Sequence, residues 1–332
     1  MLVLLVVVLT GLLPPLQTAI NSRLNGFVGS PLRAALVSFS TGALILVLFV
    51  VLAFGPAGVL ADLAEATRAP AWMWLGGLLG AAIASSSIFA FPRLGSIETA
   101  LWPLLGSVTA SIGVDAAGWL GVDQRPLSLL RVLGALGVLI GVSAASGALV
   151  LGRSDSGGPG RGTRAEHPVA ERGSARPLPG TAQPWPWRVL LLVAGAGGGI
   201  QGAVNGALGR RIDAPFVAAL ISFLTGALAL ALVVGIQAIG SRGAPEAERT
   251  AGGPWWMWLG GLLGAVFVTT ATFAVPAIGA GPANVATYAG TSASSLLIDR
   301  FGWLLAPRKS VAPLQVLGVL LVLLGVLAVQ LG

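Results

Sequence analysis

Four amides are the residues of this chain whose type and spacing most directly suggest chemistry. Gln17 and Asn21 are four apart, as are Gln201 and Asn205, so each pair lies on one face of a helix. Both pairs sit in apolar surroundings, where a polar side chain is expected to turn away from hydrocarbon and into the protein. Two uses follow from that position. The amides can hydrogen-bond between packed helices, or they can line a cavity and offer donors and acceptors to a small-molecule substrate. Pro14-Pro15 beside the first pair and Gly195 through Gly199 before the second are expected to interrupt their helices at matching places. Such a pattern points to a binding site between repeated halves.

Carboxylates form the second group. Glu98 is the acidic residue expected inside an apolar span, a position that makes it a candidate for proton coupling or for contact with a cationic substrate. The alternative is an ordinary helix-end charge beside Arg93. Asp115 and Asp299 are expected near helix C-termini, where a carboxylate opposes the helix dipole. Each therefore needs a partner such as Arg125, Arg300 or Lys309, and serves as a structural ion pair or a gate.

What is missing narrows the field further. The chain has no cysteine and a single histidine, His167, which excludes disulfides and thiolate metal sites. His167 is a lone histidine in a Pro/Gly/Arg-rich stretch and reads as a solvated loop residue. No phosphate-binding loop, zinc-ligand spacing or nucleophile–histidine–acid set occurs, so no metal, no cofactor and no enzymatic activity is expected.

The elements that position these residues are legible in the composition. Of 332 residues, 55% are hydrophobic and 9% charged, with a mean hydropathy of +0.89. Soluble domains carry about 25% charged residues, so this chain cannot cover itself with a water-facing surface. The net charge of +7 could suggest nucleic acid, which is recognised by basic residues clustered on a folded face. Here the largest arginine cluster falls in a Pro/Gly-rich stretch, and nucleic acid is not an expected partner. The lipid bilayer is.

A helix needs about 20 mostly apolar residues to cross a bilayer. Runs of that kind occur at 2–22, 32–54, 71–92, 95–114 and 128–151, then at 188–208, 216–239, 255–276, 280–299 and 312–331. The first lacks the basic n-region and cleavage site of a signal peptide and is expected to be a retained helix. Residues 152–187 are rich in Gly, Pro and Arg and too poor in apolar residues to offset their ordering entropy. They are expected to form a disordered linker between a first repeat over 1–151 and a second over 188–332.

The repeat itself is the strongest signal. A shift of 184 residues aligns the halves without a gap. Gln17, Asn21 and Leu24 fall on Gln201, Asn205 and Leu208. Ser38, Phe39, Thr41 and Gly42 fall on Ser222, Phe223, Thr225 and Gly226. The run from Trp72 to Gly80 recurs letter for letter from Trp256 to Gly264, and Asp115, Gly118 and Trp119 meet Asp299, Gly302 and Trp303. Glu98 breaks the pattern, its counterpart being Pro282. An odd number of crossings per half inverts the second half relative to the first. The expected fold class is therefore all-α integral membrane, ten transmembrane helices arranged as two five-helix inverted-topology repeats, an architecture used for alternating access. Trp72/Trp74 and Trp256/Trp258 would then anchor opposite interfaces. Gly76-Gly77-x-x-Gly80 and its repeat would allow close helix packing.

Three stretches carry a resemblance to a known family: Gln17-x-x-x-Asn21-x-x-Leu24, the run from Ser30 to Phe39, and Gly106-x(8)-Asp115-x-x-Gly118-Trp119. They resemble the YdcZ-type inner-membrane exporters, grouped with the drug/metabolite transporter superfamily. The resemblance covers nearly the whole chain twice, apart from the linker. It implies a DMT/EamA-like bundle in its fused ten-helix form, and export of small molecules without indicating which. The family often carries Gln after the glycine of the fourth helix. This chain departs there, with Ser107 and Thr291, which join the candidate substrate-binding positions.

These features together point to a secondary transporter, an exporter of a small organic solute in a bacterial inner membrane. A membrane scaffold that transports nothing is the alternative, as is a passive channel or scramblase. A channel is expected to carry a ring of charges or carbonyls along its pore, and no such set is visible. Lys and Arg are more numerous on the linker's side, which the positive-inside rule assigns to the cytoplasm. A homodimer is compatible with the sequence, which does not require one.

Overall fold

The computed structural model describes residues 2–120, 124, 127–145, 184–240, 252–278, 280–305, 308 and 312–331. Most of the linker, with His167, lies outside them, as do Arg125 and Lys309. The described residues are helical and contain no strand. In chain order the helices are α1 (Leu2–Gly11), α2 (Leu13–Val28), α3 (Pro31–Ala66), α4 (Gly76–Ala117), α5 (Leu129–Ala145), α6 (Trp185–Arg211), α7 (Pro215–Gly240), α8 (Gly260–Ile278), α9 (Ala280–Phe301) and α10 (Pro313–Leu331). Among the described residues, six spans are long and apolar enough to cross a membrane: Leu2–Val28, Pro31–Ala66, Ala71–Ala117, Trp185–Arg211, Pro215–Gly240 and Trp255–Ala274. Leu129–Ala145 and Pro313–Val329 are shorter apolar helices. Leucines such as Leu52, Leu228 and Leu324 stand fully outward, as a hydrocarbon solvent permits and water does not.

Two of the helices are broken by glycines with positive φ. In α3, Gly55 (φ 75°) ends the apolar run, and residues 56–66 continue as a further helical segment that the hydropathy pattern did not suggest. In α4, Gly95 (φ 81°) reverses the chain. The neighbouring α6 reveals the reversal. Along α6, Asn205, Gln201 and Gly198 meet Gly76, Gly80 and Ile83, an antiparallel order. Gly195 and Gly199 meet Pro103 and Ser107, a parallel order. The segments before and after Gly95 therefore run in opposite directions.

Equivalent helices of the two halves pack antiparallel. In α3 and α7, the Phe39 and Phe223 rings lie 5.0 Å apart and those of Phe49 and Phe216 4.8 Å. Gly42 makes room for Phe223, and Gly226 for Phe39. In α5 and α10, Gly134 lies against Gly325 and Val329, while Gly141 lies against Gly318 and Val322. Glycine lets such backbones approach closely without a large side chain between them.

The halves also interlock. Gly11 of α1 packs on Thr287 of α9, and Gly290 of α9 on Val8 of α1. In the mirrored contact, Gly195 of α6 packs on Pro103 and Gly106 of α4 on Leu192. The first helix of each half is thus held by the other half, so the repeats visible in the sequence are not separate packing units.

The two interruptions expected near the amides are not matched. The chain turns at Leu12 between α1 and α2, with Pro14 and Pro15 in the first turn of α2. Helix α6 instead runs unbroken through Gly195–Gly199. Glycine lowers helix propensity but keeps its N–H, so the hydrogen-bond ladder continues. Proline has no N–H to give.

Candidate functional site

All six candidate binding residues, Gln17, Asn21, Ser107, Gln201, Asn205 and Thr291, line one cavity of about 320 Å³. The face shared by residues four apart on α2 and α6 brings the amides in from the two halves. Each asparagine is buried and fixed by a serine of the next helix. Asn21 Nδ2 donates to Ser38 Oγ at 3.1 Å, and Asn205 Nδ2 to Ser222 Oγ at 3.2 Å. On the far side each amide oxygen sits against a glycine of the opposite half. A Cβ at Gly260 would collide with Asn21 Oδ1, and one at Gly76 with Asn205 Oδ1. Gln17 and Gln201 lie likewise against Gly264 and Gly80. The Gly-Gly-x-x-Gly motif thus packs on the Gln-x-x-x-Asn motif of the other half.

The two glutamines make no hydrogen bond among the described residues, which leaves their amides available to a ligand. Thr291 is committed differently. Its hydroxyl donates to Gly11 O at 2.9 Å, satisfying a carbonyl left over where α1 ends. Ser107 accepts a hydrogen bond from Tyr288 Oη at 3.0 Å. Tyr288 lines the cavity too, and its counterpart in the first half is Leu104. It is the chain's one tyrosine, and that rarity within an apolar run was the signal available for it. Ser38 and Ser222 were visible as repeated residues, but nothing local marked them as partners of the amides.

The carboxylates lie elsewhere. Glu98 is absent from the cavity lining and does not pair with Arg93. Instead its Oε2 accepts from Arg188 Nε at 2.7 Å, with the two side chains 15% and 6% exposed. The Arg188 guanidinium lies 5.9 Å from the Trp102 ring and 5.4 Å from that of Trp185. Arg93 sits over Trp187 at 4.2 Å. Asp115 meets Arg131 at 3.7 Å; Arg125, expected as a partner from its proximity in sequence, lies outside the described residues.

Asp299, near the end of α9, is buried, and Lys309, one of the partners expected for it, lies outside the described residues. Its carboxylate accepts from the backbone N–H groups of Ser96 at 2.8 Å and Ile97 at 3.1 Å. Both amides begin the helical segment after Gly95. The charge therefore faces the positive end of a helix dipole in the other half, a favourable placement.

No curated protein matches the chain. The sequence model of one family matches it twice, over residues 2–144 and again over residues 186–328; that family is described as "Putative inner membrane exporter, YdcZ". With most of its length covered by the two matches, the chain belongs to this YdcZ family of inner-membrane exporters and is a multi-pass helical membrane protein.

Proposed function

We propose that this protein is a secondary transporter that exports a small organic solute by alternating access. One observation carries the reading: a single cavity is lined by equivalent residues of both halves, Gln17 with Gln201, Asn21 with Asn205 and Ser107 with Thr291. An inverted repeat would offer the same groups to a solute from either face. Ten crossings follow if the segments on either side of Gly95 count separately, if Leu2–Val28 counts once and if α9 and the two short helices also cross. Five then fall on each side of the linker. The antiparallel packing of α3 on α7 and of α5 on α10 supports inversion of the second five. The interlock suggests which parts move: α1 and α2 with α8 and α9 form one body, and α6 with α4 the other. The Lys/Arg bias puts the linker in the cytoplasm. The family is one of exporters rather than enzymes, and no residue here needs a catalytic role.

The absence of native cysteine gives a direct test. Single cysteines at Ser107 and Ala271, both on the cavity wall, are probed with a membrane-impermeant maleimide in vesicles of each orientation. Alternating access predicts labelling from both faces with no ionic conductance. Labelling from neither face indicates a scaffold. Labelling together with unsaturable leakage indicates a channel or scramblase.

A further inference from the structure

We infer that the solute carried in this cavity is uncharged, mainly apolar and able to hydrogen-bond, such as a cyclic amide or alcohol, and is neither a cation nor an anion. The inference rests on the cavity being the transport site and concerns what fits there. None of the described residues that line it is charged. The neighbouring stretch 275–285 contains no charged residue either.

The buried charges nearby are all engaged elsewhere. Glu98 is held by Arg188 and Asp115 lies against Arg131. Asp299 takes two backbone amides. An ion entering the cavity would lose its hydration and meet no counter-charge, a penalty that buried ions escape only by pairing.

Hydrogen-bonding capacity, by contrast, is left over. Gln17 and Gln201 line the cavity without a hydrogen bond among the described residues, and Ser96 and Thr99, whose hydroxyls are buried without a partner, lie in its wall. Ser96 and Thr99 have alanines, Ala280 and Ala283, as their repeat counterparts. These two hydroxyls therefore lie on one side of the chamber only. A neutral molecule with a polar end and an apolar body can pair with the two glutamine amides and rest its body on the apolar wall.

The test uses the full chain in nanodiscs with two sets of matched probes. The aromatic set is nicotinamide, the N-methylnicotinamide cation and nicotinate. The alicyclic set is cyclohexanecarboxamide, cyclohexylmethylammonium and cyclohexanecarboxylate. Binding is read by thermal shift and by protection of a cysteine at Ala271 from maleimide. The neutral member of at least one set should bind about tenfold or more tighter than its charged relatives, given the penalty for an unpaired buried charge. Gln201→Glu should turn that preference toward the cation. Equal or tighter binding of a charged member by the unaltered protein overturns the inference and leaves the transporter reading standing. Binding of no probe in either set, with the maleimide still reaching Ala271→Cys, overturns the cavity as a solute site and both readings with it.

Discussion

The Asn205 amide oxygen occupies the space that a Cβ at Gly76 would need, and Asn21 stands in the same relation to Gly260. Each contact joins the two halves, and each asparagine is also held by a serine of its own half. Gly76→Ala should therefore destabilise by about 1–3 kcal/mol, the usual effect of overpacking. Combined with Asn205→Ala, the loss should be clearly smaller than the sum of the two single losses, because contacting residues couple. Melting curves of the three variants in one detergent check this, and strict additivity would refute the contact.

Asn21→Leu separates packing from binding. Loss of the bond to Ser38 should lower stability by about 0.6–2 kcal/mol, the range for hydrogen bonds between membrane helices. Transport per folded molecule should also fall to background if the amide lines the solute path. A destabilised Asn21→Leu protein that still transports normally would remove the amide from that path.

The ion pair of Glu98 with Arg188 joins α4 to the start of α6, and the repeat has no second copy of it. The equivalent positions hold Pro282 and Leu4. Arg188→Leu alone strands a buried carboxylate and should cost about 3–5 kcal/mol. The double change Glu98→Leu with Arg188→Leu should recover most of that. Because Glu98 lies outside the cavity, Glu98→Gln should leave the pH profile of transport per folded molecule unchanged. A flattened profile would restore Glu98 as a coupling residue.

Asp299→Ala removes the acceptor for two N–H groups at the start of a helical segment and should cost about 0.5–2 kcal/mol, as loss of a helix cap does. Asp299→Asn, which keeps an acceptor, should cost less. Thermal unfolding of both variants decides, and equal losses would show that capping is not the role.

Deletion of residues 157–179 should leave membrane expression and melting temperature within error of the full chain, since that stretch lacks the apolar residues needed for a core. Loss of expression would make the segment structural.

The sequence made some of this plain and hid the rest for identifiable reasons. The four amides could be found because i and i+4 share a helix face, and Ser38 and Ser222 recur at one shift. The glycines that receive the amides could be seen as packing residues, but not matched to partners in the opposite half. Arg188 opens the apolar run 188–208 directly after a long polar stretch, and nothing in the sequence marked it as a buried partner, whereas two indoles shelter it inside. Gly195–Gly199 was misjudged because glycine density resembles a break when only the propensity is weighed. The helical segment over 56–66 was missed because Gly55-Pro56 signals an end, and its short apolar face is too weak to register.

That the pair of Glu98 and Arg188 occurs only once, with Pro282 and Leu4 at the equivalent positions, depends on the two halves differing in sequence. Two separate copies of an identical half would each carry the acid and the arginine, or neither, and would need to insert in both orientations in equal numbers. Joining them fixes the ratio at one to one and frees each half to drift on its own. A lone acid can then arise on one side and its base on the other. The same freedom extends to Tyr288 facing Ser107, and to the hydroxyls of Ser96 and Thr99 opposite alanines. The chamber lined in this way has a head and a tail, its two ends no longer alike.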